Sequence, residues 1–372
     1  MRVVLAPDKF KGSLTAAEVA GAVGAGLRRA RPDVELTLLP VADGGDGTVD
    51  AAISSGFTRV PVEAVGPTGR PVTTAYAVRG VQAVIELANV VGLDLLPEGV
   101  PDPMGASTYG LGLVIKDAVD RGAATIVLGV GGSASTDGGL GMIQALGARV
   151  LDGCGVELGA GGGALSTVAS LHLEDLRERL GGVEILVAGD VDNPLLGPRG
   201  AARVFGPQKG ADPEQVAWLE SALDRWAGVV RDSIGRDCSA FGGSGAAGGT
   251  AFAAVALLGA QVRSGIELVL DLVGFDAALL GAYLVVTGEG SLDEQSLAGK
   301  APIGVAHAAT EAGIPVVAVA GRCLLSAARL SEAGIRAAYP LSDLEPDVGR
   351  CMAGARDLLT RLGLRIAEEW LP

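Results

Sequence analysis

Residues 3–13 read VVLAPDKFKGS, an apolar run that is followed at once by a polar loop. Residues 36–48 repeat this arrangement, because the apolar run LTLL leads into PVADGGDGT. Each loop stands where a strand should end and a helix should begin. Thr15, with Glu18 three residues later, has the capping-box pattern of a helix start. Ligands bind at the carboxyl ends of strands in open α/β sheets, so the two loops predict one binding site.

The end of the chain alternates apolar runs with helical patterns. We predict strands at 283–286, 314–320 and 335–339, and helices near 300–312, 325–333 and 346–369. Such alternation favours right-handed crossovers and a parallel sheet. The middle of the chain is less regular, with a predicted hairpin at 72–87 and further strands at 125–130, 183–188 and 266–272.

These patterns predict an α/β protein of two domains. The first is a flavodoxin- or Rossmann-like domain, with a parallel sheet in an α/β/α arrangement, made from both chain ends, residues 1–66 and 283–372. The second is an inserted mixed α/β domain, residues 67–282. A length of 372 residues suits two domains of ordinary size.

Composition excludes several classes of function. The net charge is −14 and no segment concentrates Lys and Arg, which disfavours nucleic acid and anionic membranes as partners. The longest uncharged span, 238–262, is strongly apolar only over 251–260, about half of a membrane span. The four cysteines lack C-x-x-C spacing and indicate reduced thiols, so we expect a cytoplasmic protein.

The segment GGSASTDGG, residues 131–139, follows the apolar strand predicted at 125–130. Ser133 and Asp137 could cap the helix that follows, and the free N–H groups of a helix start also bind phosphate. A capped turn explains one hydroxyl but not this cluster of polar residues between two glycine pairs. We therefore favour a phosphate-binding loop.

Two further loops carry candidate ligands. Asp190 and Asn193 follow the strand predicted at 183–188 and offer oxygen ligands suited to Mg²⁺, although an Asx turn before proline explains them nearly as well. Gln208 and Lys209 lie in FGPQKGA, residues 205–211, where a lysine held between turns could bind phosphate. An exposed surface lysine is the alternative.

The segment TGEGSLDEQ, residues 287–295, places Glu289 and Asp293 after a predicted strand, and Lys300 precedes the next helix. The sequence contains no G-x-x-x-x-G-K-[ST] phosphate loop. Residues 243–248 match G-x-G-x-x-G, but a dinucleotide site needs a strand just before the glycines, and 231–239 is polar. With only two histidines in the chain, a general base is expected to be a carboxylate.

Together these loops favour phosphoryl transfer. This reaction needs backbone and cationic groups for phosphate, Mg²⁺ on Asp or Asn, and a carboxylate that accepts a hydroxyl proton. Two domains would also provide a cleft that closes to exclude water.

Seven motifs, in order along the chain, resemble those of the bacterial type I glycerate kinases. They are APDKFKGSL (6–14), ADGGDGT (42–48), GGSASTDGG (131–139), GDVDNPL (189–195), FGPQKGA (205–211), GAAGG (245–249) and GEGSLDEQSLAGKAPIGVA (288–306). The resemblance implies a transferase with an alcohol group as acceptor, which phosphorylates D-glycerate from ATP with Mg²⁺, commonly to 2-phosphoglycerate. It also implies two domains with the active site in the cleft between them.

On this resemblance we expect Asp190 and Asn193 to hold Mg²⁺ or position the hydroxyl, with Asp43 as a rival to Asp190 for the general base. Lys11, Lys209 and Lys300 would neutralise phosphate or the glycerate carboxylate. The other candidates for binding substrate or phosphate are Asp8, Ser13, Gly44, Gly45, Ser133, Asp137, Gln208, Gly245, Glu289 and Asp293. Two alternatives remain at this stage, an NAD-dependent oxidoreductase and a non-catalytic sugar-acid binding protein.

Overall fold

A computed structural model describes residues 1–372, apart from the side chain of Ala298. In chain order the strands are β1 (Arg2–Pro7), β2 (Glu35–Leu38), β3 (Thr58–Val65), β4 (Pro71–Arg79), β5 (Gln82–Glu86), β6 (Thr125–Gly129), β7 (Arg149–Asp152), β8 (Val168–His172), β9 (Glu184–Ala188), β10 (Gln261–Arg263), β11 (Ala282–Leu292), β12 (Val316–Cys323) and β13 (Ile335–Pro340).

The α-helices are α1 (Ala16–Ala30), α2 (Thr48–Ser54), α3 (Ala88–Val91), α4 (Tyr109–Asp120), α5 (Leu140–Ala145), α6 (Glu174–Leu180), α7 (Ala201–Phe205), α8 (Pro213–Ile234), α9 (Ala246–Leu257), α10 (Gly265–Val273), α11 (Phe275–Leu279), α12 (Ala301–Glu311), α13 (Ala327–Glu332), α14 (Val348–Ala353) and α15 (Ala355–Trp370). None of the helices described is both long and apolar enough to span a membrane.

The chain divides into two compact units. Unit 1 comprises Met1–Asp43, Asp50–Gly56 and Ser264–Pro372, and unit 2 comprises Gly44–Val49 and Phe57–Arg263. The sequence-based boundaries, after residues 66 and 282, lie elsewhere. Strand β3 belongs to unit 2 because it pairs with β4, and α10 and α11 belong to unit 1 because they pack in the core of its sheet.

Unit 1 is built on a five-stranded parallel sheet with the order β13-β12-β11-β1-β2. Alternate residues of β1 point to opposite faces: Val3 and Leu5 join a core with α1 and α15, whereas Val4 and Ala6 join a core with α10 and α12. Numbered within the unit, the strand order is 2-1-3-4-5, that of flavodoxin, and it reverses between β1 and β11. The predicted parallel α/β/α layering is therefore confirmed.

Unit 2 is built on a mixed sheet with the order β10-β9-β6-β5-β4-β3. Strands β5, β6, β9 and β10 are parallel, whereas β3 and β4 are antiparallel additions at one edge. The predicted mixed α/β class is confirmed. The carboxyl ends of β5, β6 and β9 lie at one edge of this sheet and carry its polar loops.

Two predicted elements were wrong. Residues 266–272 form helix α10 and not a strand, because Ile266, Val269, Leu270 and Val273 share one buried face at helical spacing. The helix predicted near 346–369 is two helices, α14 and α15, that meet at Gly354. Strand β3 was not predicted; it contains Pro61, which an edge strand tolerates.

Candidate functional site

Asp8 lies at the carboxyl end of β1, at the point where the strand order of unit 1 reverses. Its N–H donates to the carbonyl of Gly288 on β11 at 2.8 Å, and its Oδ1 accepts from the N–H of Lys9 at 2.6 Å. Burial raises the pKa of Asp8 to about 7; Lys9 opposes the shift, and the carboxylates of Asp43 and Glu289 add to it. A carboxyl group of this kind can exchange a proton near neutral pH.

Glu289 lies in the carboxyl half of β11, next to β1. Its side chain is 9% exposed, and its Oε2 lies 3.7 Å from Nζ of Lys300. Its Oε1 is buried and has no hydrogen-bond partner among the described residues. Burial raises the pKa of Glu289, the Ser296 hydroxyl and Lys300 oppose this, and nearby carboxylates add to it.

The other predicted residues of unit 1 mostly shape their own loops. Oδ1 of Asp293 accepts from the N–H of Gln295 at 3.0 Å, so this carboxylate caps a turn. Ser13 donates its hydroxyl hydrogen to the carbonyl of Met352 at 2.9 Å, which ties the first loop to α14. Lys11 is exposed.

Arg322 is a basic residue of unit 1 that sequence reasoning missed. Strand β12 pairs in parallel with β11, with Arg322 opposite Ser291, and Nε of Arg322 donates to Oγ of Ser291 at 3.0 Å. The two residues are far apart in sequence, so only the strand register brings this guanidinium beside the loop that contains Asp293.

In unit 2, the loop Gly44–Val49 packs against the loop that follows β6. A Cβ on Gly129 would lie 2.6 Å from the carbonyl oxygen of Gly44, and a Cβ on Gly131 would lie 2.9 Å from Cα of Gly45. A side chain at either position would clash with this backbone, which accounts for glycine at 129 and 131. The structure thus brings Gly44 and Gly45 together with the loop of Ser133.

Glu86 holds the first of these loops in place. It ends β5, is buried, and accepts hydrogen bonds from the N–H groups of Gly47 at 3.1 Å and Val49 at 3.2 Å. Sequence reasoning missed this residue, although an acid that ends an apolar strand was a usable signal.

Asp137 anchors the loop of residues 131–139 from within. Its carboxylate is fully buried and accepts from the N–H and the hydroxyl of Thr108, both at 2.8 Å, and from the N–H groups of Gly139 and Gly141. Burial raises its pKa, and these donors oppose the shift. Asp137 therefore fastens the starts of α4 and α5.

The hydroxyl of Ser133 also forms its hydrogen bonds within its own loop. Its Oγ is buried, accepts from the N–H of Ser135 at 3.2 Å and lies 3.0 Å from the Ser135 hydroxyl. These contacts leave the backbone of Gly131 and Gly132, at the more accessible start of the loop, as the part that can meet a ligand.

Lys209 is 2% exposed, and its Nζ donates to the carbonyl of Ser135. Burial lowers its pKa to about 8, and Asp137 opposes this. The ammonium group thus reaches the inside of the loop of residues 131–139. Gln208, the preceding residue, is exposed.

The GAAGG segment packs on the same loop. Gly248 has a φ of +65°, its carbonyl accepts from the N–H of Gly138 at 3.0 Å, and a Cβ on it would lie 2.1 Å from the carbonyl oxygen of Ser135. Close packing therefore accounts for the G-x-G-x-x-G pattern without a dinucleotide. Gly245 donates its N–H to the carbonyl of Asn193 at 2.9 Å and so supports the loop after β9.

The loop after β9 carries Asp190 and Asn193. Asp190 is exposed, and Nδ2 of Asn193 donates to the carbonyl of Arg199 at 2.7 Å. Asp192 forms an ion pair with Arg199 at 2.6 Å. Among the residues described, no group of three or more His, Cys, Asp or Glu side chains could hold a metal ion.

The comparisons with known proteins agree with one another. The model of the glycerate kinase family matches residues 3–371. Glycerate 2-kinase of Escherichia coli K12 is 40% identical over 371 residues, which is 99% of this chain and 97% of that protein. Glycerate kinase of Bacillus subtilis 168 is 42% identical over 92% of this chain and 90% of that protein. A crystal structure described as a glycerate kinase 2 from Salmonella typhimurium LT2 superposes with a TM-score of 0.88, at 40% identity, over 99% of this chain and 98% of that one.

Proposed function

Because the chain belongs to the glycerate kinase family and therefore phosphorylates glycerate, we propose that it uses ATP with Mg²⁺ to convert D-glycerate into 2-phosphoglycerate. The observation that carries the proposal is Asp8, a carboxyl group at the switch point of a parallel sheet whose pKa burial raises to about 7. Membership of this family argues against the two alternatives, an NAD-dependent oxidoreductase and a non-catalytic sugar-acid binding protein.

In this proposal Asp8 is the general base. The 2-hydroxyl oxygen attacks the γ-phosphorus of ATP, the bond from that phosphorus to the β,γ-bridging oxygen breaks, and the hydroxyl proton passes to the Asp8 carboxylate. ADP leaves with the electron pair of the broken bond. Asp43, the rival base in the sequence interpretation, then acts through Asp8, because its charge helps to raise the pKa of Asp8.

The cationic residues of unit 1 suit the carboxylate of glycerate. Lys300 lies 3.7 Å from Glu289 and is only partly exposed, and Lys11 is exposed on the loop that follows Asp8. An ammonium group attracts a carboxylate as a point charge. We assign substrate neutralisation to Lys300 and Lys11.

The glycine loops of unit 2 suit the phosphates of ATP. Backbone N–H groups around Gly131, Gly132 and Gly44 can bind phosphoryl oxygens without a P-loop lysine. Lys209 then supports catalysis indirectly, because its Nζ donates a hydrogen bond to the carbonyl of Ser135 and so holds the loop in place. We assign Lys209 to loop positioning and not to contact with phosphate.

Asp190 and Asn193 fit Mg²⁺. The donor set is a carboxylate and an amide oxygen, both hard ligands, and Mg²⁺ usually takes one or two protein ligands together with waters and substrate phosphates. When bound, the ion would neutralise charge that develops on the phosphates. The exposed position of Asp190 and the backbone contact that orients the Asn193 amide support this assignment.

One experiment tests the donor, the metal and the product together. Purified protein is incubated with D-glycerate, ATP and MgCl₂, and the products are followed by ³¹P and ¹³C NMR. We expect one ADP for each 2-phosphoglycerate formed, and no turnover in excess EDTA. Formation of 3-phosphoglycerate would overturn the regiochemistry, and unchanged turnover in EDTA would overturn the role of the metal.

A further inference from the structure

The buried oxygen Oε1 of Glu289 lacks a partner within the chain. The residue is 7% exposed, Oε2 faces Lys300, and Oε1 has no hydrogen-bond partner among the described residues. A buried acceptor without a partner is costly, and natural structures contain few of them. A ligand that supplies a donor at this point would remove that cost.

The charges around Glu289 define the chemistry of that ligand. Lys300 is the cation that faces it, while Asp43 and Asp293 add negative charge. The Ser296 hydroxyl is a further polar neighbour, but it donates to the carbonyl of Ser291 at 3.2 Å. A phosphate or carboxylate oxygen at Oε1 would be repelled by Glu289 and would bring no proton. A neutral hydroxyl group fits.

The position of Glu289 connects this hydroxyl site with Asp8. β11 carries Glu289 and β1 leads to Asp8; the two strands are neighbours, with Ala6 opposite Thr287 and Pro7 opposite Gly288. The strand order reverses between them, which is where open α/β sheets bind ligands. Two carboxyl groups on adjacent strands match a substrate with two hydroxyls.

We propose that Oε1 of Glu289 accepts a hydrogen bond from the 3-hydroxyl of D-glycerate, the hydroxyl that does not react, and that it thereby selects 2,3-dihydroxy acids over 2-hydroxy acids. This inference rests on the proposed function, in which the 2-hydroxyl reacts at Asp8. Glu289 is then a specificity residue that binds the substrate.

The test compares the binding of D-glycerate with that of D-lactate, which keeps the carboxylate and the 2-hydroxyl but lacks the 3-hydroxyl. Titration calorimetry gives both affinities for the wild-type protein and for Glu289→Met. A site built to bind a hydroxyl rejects the analogue without it strongly, so we expect wild type to prefer D-glycerate by at least about 30-fold. In Glu289→Met this ratio should fall to within about threefold of one, because the variant lacks the acceptor for the 3-hydroxyl.

Two further variants keep the test specific. Glu294→Met makes the same change at an exposed glutamate that pairs with Arg329 on the surface, and it should keep the wild-type ratio. Glu289→Asp retains the charge but withdraws the carboxylate by one methylene, so the ratio should also fall. This variant keeps the inference testable if Glu289→Met does not fold.

The outcomes separate the inference from the proposed function. A wild-type ratio retained in both Glu289 variants overturns the inference, even if the protein phosphorylates D-glycerate. Loss of affinity for an ATP analogue, with the glycerate-to-lactate ratio unchanged, also overturns it. If wild type binds D-glycerate with the expected ratio but transfers no phosphoryl group, the proposed function fails and the hydroxyl site stands. Formation of 3-phosphoglycerate would overturn the inference as well, because the 3-hydroxyl would then be the one that reacts.

Discussion

Replacing Asp8 by Asn should lower activity and raise stability at the same time. Asn keeps the shape of the side chain and an oxygen that can accept from the N–H of Lys9, but it cannot take up a proton. A positioned general base contributes about 10²- to 10⁴-fold to rate, so we expect kcat of Asp8→Asn to fall by about that factor. The acid limb of the pH profile of kcat/KM, with a pKa near 7 in wild type, should disappear.

The gain in stability follows from the pKa of Asp8, which burial raises from 3.8 to about 7. Because the folded-state pKa is the higher one, the unfolded chain loses its proton first. Ionisation of Asp8 therefore lowers the free energy of unfolding of the wild-type protein above about pH 3.8, and this loss is complete above about pH 7. Linkage gives a penalty of about 2 kcal/mol at pH 5 and about 4 kcal/mol at pH 8, and the Asn variant avoids it.

Urea unfolding at pH 5 and pH 8 measures this difference directly. We expect the stability of Asp8→Asn relative to wild type to increase by about 2 to 3 kcal/mol between the two pH values. Asp33→Asn makes the same change at an exposed position of unit 1 and should show no such pH dependence. A relative stability that does not change with pH, or a kcat within tenfold of wild type, would refute the reasoning.

Three other perturbations have expected outcomes. Burial lowers the folded-state pKa of Lys209 from 10.5 to about 8. The free energy of unfolding of the wild-type protein, measured in urea, should therefore rise by about 2 to 3 kcal/mol relative to that of Lys209→Met between pH 7 and pH 10. A difference that does not change with pH would contradict the buried charge. Glu86→Ala removes the acceptor of two loop N–H groups. It should lower the free energy of unfolding in urea by about 2 to 4 kcal/mol and raise KM for ATP. Glu184→Ala, at the exposed start of β9, is the control. Asp190→Asn should raise the Mg²⁺ concentration for half-maximal rate by about tenfold or more, and a rate curve that coincides with wild type would remove Asp190 from the metal site.

The fold of unit 1 was largely predictable because its strands are buried on both faces. Continuous apolar runs such as residues 316–320 are typical of parallel strands covered by helices. The strand predicted at residues 266–272 was wrong because this segment is not continuously apolar. Glu267 and Asp271 lie four positions apart and are both exposed, a helical spacing that the strand prediction did not take into account.

The site was less predictable because its residue roles depend on contacts over long sequence distances. The motif around Lys209 suggested a phosphate ligand, but the burial of its Nζ against Ser135, 74 residues away, can be read only from the fold. Glu86 and Arg322 belong to no motif, and strand pairing alone brings them to their loops. The sequence predicted which loops carry the candidate residues and could not say which of their side chains are buried.

The buried carboxyl groups divide into two kinds, and the difference separates structure from function. Asp137 is fully buried in unit 2, and four donor groups satisfy its carboxylate, so it is complete without a ligand. Glu289 is almost as buried in unit 1 but leaves one oxygen without a partner, and Asp8 beside it in the sheet order has a pKa raised to about 7. Folding alone gains nothing from an oxygen that is left without a partner, because burying it is unfavourable in the absence of a ligand. Their place at the reversal of the strand order supports the proposal that a substrate supplies the missing donor and gives up a proton there.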